Sequence, residues 1–548
     1  MSSTRLRLSW RTLSLLGLSA LLLTIFLSFR NAGLYASVFA DEYTYSLYSR
    51  LVPRSDSIIP SYLFLGLFSV TRQCGPAFLD CARALNVLLL VSSMPFIYSV
   101  ARSVASPWVS WGVTLLAMIG PYNTYTAYFM PECMYYLGFW IVAWFVLRVK
   151  ISREWVLGAC IGALVGVLTL VKMHGIFLFP GLACFYLWGY LVKARAFTFA
   201  RAAQFAAATL GVFFAVRFGL GFLLAGRPGL HLLGAVYGDV ASTAKHGSAE
   251  VLEQVGQMAM GHSLALLVMF AVPIGLALAP RGKRALESVP ILERFLLSML
   301  LPLLTIVVLF TVSIAGAGPY EYLTRVHMRY YNFLFPLFSI LVAGHFSSWL
   351  EQPLARQRWA QQWIFAVLAV PMAWALFDHL AFLSPVLPDC PELRGLTVNT
   401  RAFMVVGGVG LISLVVAAFR PRYGVALYFL VYTPLFVGVT AHWANSELRD
   451  RRHPDVYDRG AEFVRRYIGQ ETDQLLVAGP QIAGLYRAHF VLDDPGTHVV
   501  ALEEGVPLAP ADIPAGTRWI LYIGEHPTET PPVADTAGQG FFLVKVGP

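Results

Sequence analysis

Two adjacent carboxylates, Asp41 and Glu42, stand in the stretch Val38-Phe39-Ala40-Asp41-Glu42-Tyr43, just beyond the first long apolar run. A carboxylate can take the proton from an attacking hydroxyl, so Asp41 is the candidate catalytic base. Glu42 is a candidate to assist it, to orient an acceptor or to ligate a metal. Adjacent acids also commonly do no more than solvate the start of a loop, and the pair alone does not decide between these readings. Cations suited to an anionic leaving group occur at two places. Lys172 and His174 sit in Thr169-Leu170-Val171-Lys172-Met173-His174-Gly175, between apolar runs. A cation at such depth is costly, and it is either functional or snorkelling to lipid headgroups. Arg325, His327 and Arg329 lie in Arg325-Val326-His327-Met328-Arg329-Tyr330-Tyr331. The planar guanidinium fork fits phosphate, and two of them with an intervening histidine make an anion cradle. The competing reading is a headgroup belt, with Tyr330 and Tyr331 as interfacial aromatics. Glu132, in Tyr128-Phe129-Met130-Pro131-Glu132, is a candidate for binding sugar or metal, and Tyr128 and Tyr330 are candidates for acceptor or sugar contacts. A carboxylate after Pro131 also simply suits the first turn of a helix. A nucleophilic triad would need Ser or Cys paired with His, and no such motif is recognisable.

The elements that position these residues are apolar. Of 548 residues, 57% are hydrophobic and 13% charged, and mean hydropathy is +0.63, which describes a polytopic membrane protein whose first partner is the lipid bilayer. The net charge of +9 would suggest nucleic acid in a soluble protein. Here the surplus sits in short loops between apolar spans as orientation signals, and no nucleic-acid partner is expected. The run Leu13 to Phe29 is long enough to cross a bilayer, and Arg5, Arg7 and Arg11 hold its start inside. It is longer than a signal core and is read as a retained anchor. Further spans are predicted at approximately 84–101, 107–121, 132–148, 155–171, 175–192, 203–224, 263–279, 295–315, 330–349, 362–383, 402–419 and 423–442, about thirteen in all. Alternate turns carry Arg102; Arg148, Lys150 and Arg153; Lys193, Arg195 and Arg201; Arg281, Lys283 and Arg284; Arg356 and Arg358; and Arg420 and Arg422. All fall on the side of the N-terminus, so Asp41 and the C-terminus face outward.

Two external loops stand out. Residues 30–80 contain Ser57 to Phe68, read as an interfacial helix, and the pair Cys74 and Cys81, which an oxidising compartment would join. Residues 225–262, with Tyr237, Asp239, Lys245 and His246, read as a lid or as a linker. The segment from Ser384 to Arg401 carries Cys390 and shows no chemical signature. The six cysteines form no metal-type cluster. Residues 442–548 change character, with an amphipathic helix over 455–468, a short helix over 481–489, and strands over 475–478, 499–502, 519–523 and 541–544. This predicts a small external α/β domain that binds the acceptor or caps the membrane part.

Asp41-Glu42 after the first span, the interfacial helix of the first loop, Lys172 closing a hairpin of spans, and Arg325-x-His327-x-Arg329-Tyr330 before a late span together resemble the GT-C superfamily. Its members are integral-membrane glycosyltransferases using polyprenyl-phosphate sugars. The layout is similar to the lipid A aminoarabinose transferases, the protein O-mannosyltransferases and the mycobacterial arabinofuranosyltransferases. The resemblance covers roughly residues 1–440. It implies an α-helical GT-C-like catalytic body over 1–441 and an inverting displacement, with Asp41 as base and Glu42 beside it. It further implies that Lys172, Arg325 and Arg329 hold the carrier phosphate. Some members need a divalent cation, Mg or Mn, and others none; the sequence does not decide.

The function so implied is transfer of one sugar, a pentose such as arabinose or a hexose, from a polyprenyl-phosphate carrier. The acceptor is a cell-envelope glycan, lipid or surface protein on the outer side of a bacterial cytoplasmic membrane. ATP and nucleotide sugars are absent there, so the donor must arrive already activated and lipid-carried. A transporter or flippase is the alternative. It would show internal repeats and charges near the midplane, whereas here no repeat is clear and the candidate charges gather at one face.

Overall fold

The computed structural model describes residues 10–37, 39–192, 198–234, 248–279, 288–316, 321–351, 359–469, 471–503, 506–524, 532–533 and 537–546. Tyr237, Asp239, Lys245 and His246 of the expected lid lie outside them, as do Arg5, Arg7, Lys193, Arg195, Arg281, Lys283, Arg284, Arg356 and Arg358. The helical body runs α1 Trp10–Asn31, α2 Phe39–Arg50, α3 Tyr62–Phe68, α4 Phe78–Val91, α5 Met94–Ala101, α6 Pro107–Ile119 and α7 Glu132–Arg148. It continues with α8 Glu154–Thr169, α9 Leu178–Val192, α10 Phe199–Ala225, α11 Ser248–Leu278, α12 Ser288–Ile314 and α13 Phe335–Glu351. Then follow α14 Trp359–Phe377, α15 Pro391–Thr397, α16 Thr400–Phe419, α17 Pro421–Leu427 and α18 Thr433–Asp450. Among the described residues, 8 helical runs are long and apolar enough to cross a membrane. The other predicted spans fall on shorter helices, such as α6, α8 and α13.

Departures from the hydropathy pattern have local causes. The predicted span 84–101 is two helices, because Ser93 Oγ turns back to the Leu90 carbonyl (2.6 Å) and Pro95 cannot continue the ladder. The predicted span 330–349 becomes regular helix only at Phe335. Met328–Tyr330 and Asn332–Leu334 are 3-10 turns that aim side chains at the site. Segment 57–68 forms a helix only over α3. Phe64, Leu65 and Phe68 are buried, with Phe129 packed edge-on to Phe68 at 5.5 Å, so this helix is a wedge under α2.

Helix α8 carries Gly158, Gly162 and Gly166 at four-residue spacing. A Cβ on Gly162 would lie 2.2 Å from the Thr209 carbonyl of α10, so the two backbones touch. Such small-residue stripes let membrane helices pack closely without a hydrophobic driving force. The stripe fixes the C-terminal end of α8, from which Lys172 projects.

The tail folds into α19 Val456–Ile468, β1 Leu475–Gly479, α20 Ile482–Leu492, β2 His498–Ala501, β3 Trp519–Ile523 and β4 Phe541–Lys545. Strand order is β2-β1-β3-β4; β1 pairs parallel with β2 and β3, and β4 is antiparallel to β3. Each strand and helix expected from the tail's patterning is present. Asp455 caps α19 and forms a capping box with Asp458. The tail lies against α2: Arg50 pairs with Asp493, the Tyr43 ring sits 4.5 Å from His489, and Phe78 sits 5.3 Å from Phe490.

Candidate active site

Asp41 occupies the first turn of α2, where the helix dipole favours a carboxylate. It is 41% exposed, and its Oδ2 accepts a hydrogen bond from Arg329 Nη1 at 2.6 Å. Arg329 comes from the 3-10 turn before α13, 288 residues away in the chain. Its backbone N–H donates to the Asp389 carbonyl at 2.6 Å, and its Nε lies 3.1 Å from Asp389 Oδ1. Asp389 is fully buried and also accepts from Arg325 Nε at 2.6 Å. Arg325 reaches Glu321 as well (3.1 Å), and His327 sits between Glu321 and Asp389 at 3.5 and 3.8 Å. Burial opposes ionisation of Asp389, but Arg329, His327 and Arg325 outweigh it and hold the carboxyl below its usual range.

A second pair lies beside the first. Lys172, at the end of the α8 hairpin, donates to Glu132 Oε1 at 2.7 Å, and both side chains are buried. Tyr330 is the shared wall. His174 stacks on its ring at 4.1 Å and 11°, Lys172 Nζ is 4.9 Å from the ring centre, and Arg329 is 5.2 Å from it. Arg329 Nη2 also donates to the Tyr330 hydroxyl at 3.3 Å. Glu132 Oε2 is buried without a hydrogen-bond partner among the described residues. The result is an exposed carboxylate, Asp41, on the rim of a buried, charge-compensated floor.

Buried polar bonds hold the rim over the floor. Glu42 is 1% exposed and accepts from the backbone N–H groups of Ser37 (2.9 Å) and Phe129 (2.8 Å). Arg30 donates to the Asn123 carbonyl at 2.8 Å, and Arg83 donates to the carbonyls of Leu34 (2.6 Å) and Ala127 (3.1 Å). These bonds tie the chain around Asp41 to the 120–131 segment that delivers Glu132. Leaving any of these groups unpaired would cost ~1–3 kcal/mol, so the linkage is stiff.

The sequence candidates thus divide. Asp41, Lys172, His174, Arg329, Tyr330 and Glu132 come together in one connected cluster. Arg325 and His327 adjoin it but are occupied with Asp389 and Glu321. Glu42 points away, into the backbone of the 120–131 segment. Tyr128 is buried under the Arg451 guanidinium, 4.5 Å from its ring centre, away from Arg329. Asp389 and Glu392 were missed. They stand in Pro388-Asp389-Cys390-Pro391-Glu392, where the one available signal was two acids in a proline-bounded external segment that had to answer an arginine-rich one. Glu392 is buried and pairs with Asn332 Nδ2 at 3.3 Å; burial pushes its carboxyl up to about 7 despite that bond. Cys74 and Cys81 are joined by a disulfide.

Among the described residues, no three His, Cys, Asp or Glu side chains gather as metal ligands. Asp41, Glu132 and Asp389 each face a cation.

No family model matches the chain, and no curated protein matches its sequence. Its fold does match solved structures. The crystal structure of ArnT from Cupriavidus metallidurans bound to undecaprenyl phosphate aligns over 98% of this chain and 99% of that one, with TM-score 0.52 and 16% identity. An oligosaccharyltransferase from Archaeoglobus fulgidus in the apo form aligns over 94% of this chain and 70% of that one, at TM-score 0.43 and 10% identity, too distant to carry an argument. The chain thus shares the overall fold of that ArnT structure, and among the described residues 8 of its helical runs are long and apolar enough to cross a membrane.

Proposed function

We propose that the protein is a glycosyltransferase that moves a single pentose or hexose from a polyprenyl-phosphate carrier to an envelope glycan, lipid or protein acceptor. Its site faces the outer side of the cytoplasmic membrane. The observation that carries this reading is the exposed Asp41 held at 2.6 Å by Arg329, beside the buried Lys172–Glu132 pair. ArnT, the structure of similar fold, holds undecaprenyl phosphate, which favours a polyprenyl-phosphate donor here. The Cys74–Cys81 disulfide suits an oxidising, outward compartment.

The chemistry follows from the charges. Arg329 is neutralised by Asp41 and Asp389. An incoming phosphate gives Arg329 a stronger, bidentate partner and draws it from Asp41. Asp41 is then released to accept the acceptor's hydroxyl proton as that oxygen attacks the anomeric carbon from the face opposite the phosphate. The C–O bond to the carrier breaks, and its electron pair leaves on the phosphate, neutralised by Arg329 and Lys172. The configuration inverts. Glu132 Oε2 is free to accept a sugar hydroxyl. Asp389, with Arg325 and His327 around it, fixes the angle of Arg329 without touching substrate.

The test is incubation of purified protein with a panel of radiolabelled polyprenyl-phosphate sugars and envelope extract. Label transferred to acceptor names the donor. Label carried across vesicles with no new glycosidic bond would instead make the protein a transporter.

A further inference from the structure

Helix α2, which carries Asp41 in its first turn, ends in a second cleft, separate from the first. Ser49, Arg54, Ser55, Ser69 and Arg72 meet the end of α10 around an open volume of about 950 Å³. Ser49 lies roughly 12 Å along α2 from Asp41 at the usual rise per residue. Arg50, also in this wall, is accounted for: it pairs with Asp493 and stacks 3.4 Å over Phe78. Arg54 and Arg72 have no carboxylate partner among the described residues. The acids nearby do not serve them, since Asp56 is exposed and accepts from Ser55 Oγ at 3.0 Å, and Asp493 belongs to Arg50. Ser49 is 5% exposed, and its Oγ is buried without a hydrogen-bond partner among the described residues.

These features are built. The Arg54 guanidinium rests on Gly66, where a Cβ would come within 2.8 Å of Nη1, so any larger residue would push it aside. The Cys74–Cys81 disulfide ties the segment bearing Arg72 to α4. A buried, unspent hydroxyl costs free energy unless a ligand satisfies it, and two guanidinium forks with a hydroxyl donor suit a tetrahedral oxyanion.

We infer that this cleft binds a phosphate-class anion, either a phosphate monoester or the headgroup of an anionic lipid. If the sugar-transfer reading holds, the group belongs to the acceptor or to a lipid seated beside it, which would make the acceptor an anionic molecule. The binding itself does not depend on that reading.

The full-length protein is reconstituted in phosphatidylcholine nanodiscs and titrated with inorganic phosphate by calorimetry. In parallel, retention of phosphatidylglycerol is counted by native mass spectrometry. The variants are R72Q, whose exposed side chain can be changed without disturbing packing, and the R54Q/R72Q pair, with R466Q on the surface of α19 as control. A weakening of phosphate affinity by about tenfold in R72Q and more in the pair supports a soluble phosphate monoester. Loss of retained phosphatidylglycerol with phosphate affinity unchanged supports the headgroup. Both probes behaving as in wild type would overturn the inference, whatever the outcome of the transfer assay.

Discussion

Arg329 in the helical body and Arg487 in the tail each hold an aspartate that is fully buried, Asp389 and Asp458 respectively. The surroundings differ. Arg487 also reaches Asp455 at 2.8 Å, and Asp455 already accepts the Tyr457 and Asp458 backbone N–H groups at 2.8 and 3.0 Å. Every partner lies in two neighbouring helices and serves to cap and dock them. The Arg329 network draws on α2, the α8 hairpin, the turn before α13 and the 389 loop, and it ends in a carboxylate that faces solvent. Where arginine and acid are near in sequence and the half-exposed acid, Asp455, also caps a helix, the pair is structural. Where they are distant and the half-exposed acid, Asp41, meets the arginine from another part of the chain, the same chemistry is available to a substrate.

The sharpest way to break this contrast is Asp41→Asn. It keeps shape and removes the proton acceptor, so turnover should fall about 10³-fold, within the range of a lost general base. Its thermal midpoint should match wild type. Turnover near normal would remove Asp41 from the mechanism.

Arg329→Ala should raise donor KM about 100-fold and also destabilise the protein by about 3 kcal/mol, since it leaves Asp389 buried without its main partner. Donor titration and denaturant unfolding check the two effects separately. A defect confined to acceptor affinity would contradict the phosphate role.

Glu392 sharpens the comparison through pH. Its folded-state carboxyl titrates at about 7, above the usual 4.5, so the fold binds its proton more tightly than the unfolded chain does. The stability this proton provides is complete below about pH 4.5 and is lost as pH rises through 7, up to ~3 kcal/mol. Glu392→Gln should flatten stability between those limits; an unchanged slope would assign it to another group.

Smallest is Arg487→Ala. Hydrogen exchange should rise in α19 and α20, while transfer changes by less than about threefold, because this network touches no substrate. A loss comparable to that of Arg329→Ala would make the tail part of the site.

Much of the fold was legible because membrane spans and short strands announce themselves through composition and period. The tail's strands and helices appear where alternation and the amphipathic period of 455–468 indicated. The site was legible in part. Asp41, Lys172 and Arg329 could be picked out because charge beside an apolar span is costly and needs a cause. Asp389 could not, because nothing near it in the chain reveals that Arg325 and Arg329 will fold over it. Glu42 and Tyr128 looked equal to their neighbours in sequence. Only helix α2's rotation turned Glu42 toward the Phe129 backbone and left Asp41 outward, adjacent residues being about 100° apart on a helix.

The sequence by itself determined that the chain is a multi-helix membrane protein with its candidate charges at one face, since hydropathy and charge placement act residue by residue. The tertiary structure alone decided which acid meets which cation. An ion pair depends on distance, and Asp41 and Arg329 lie 288 residues apart in the chain.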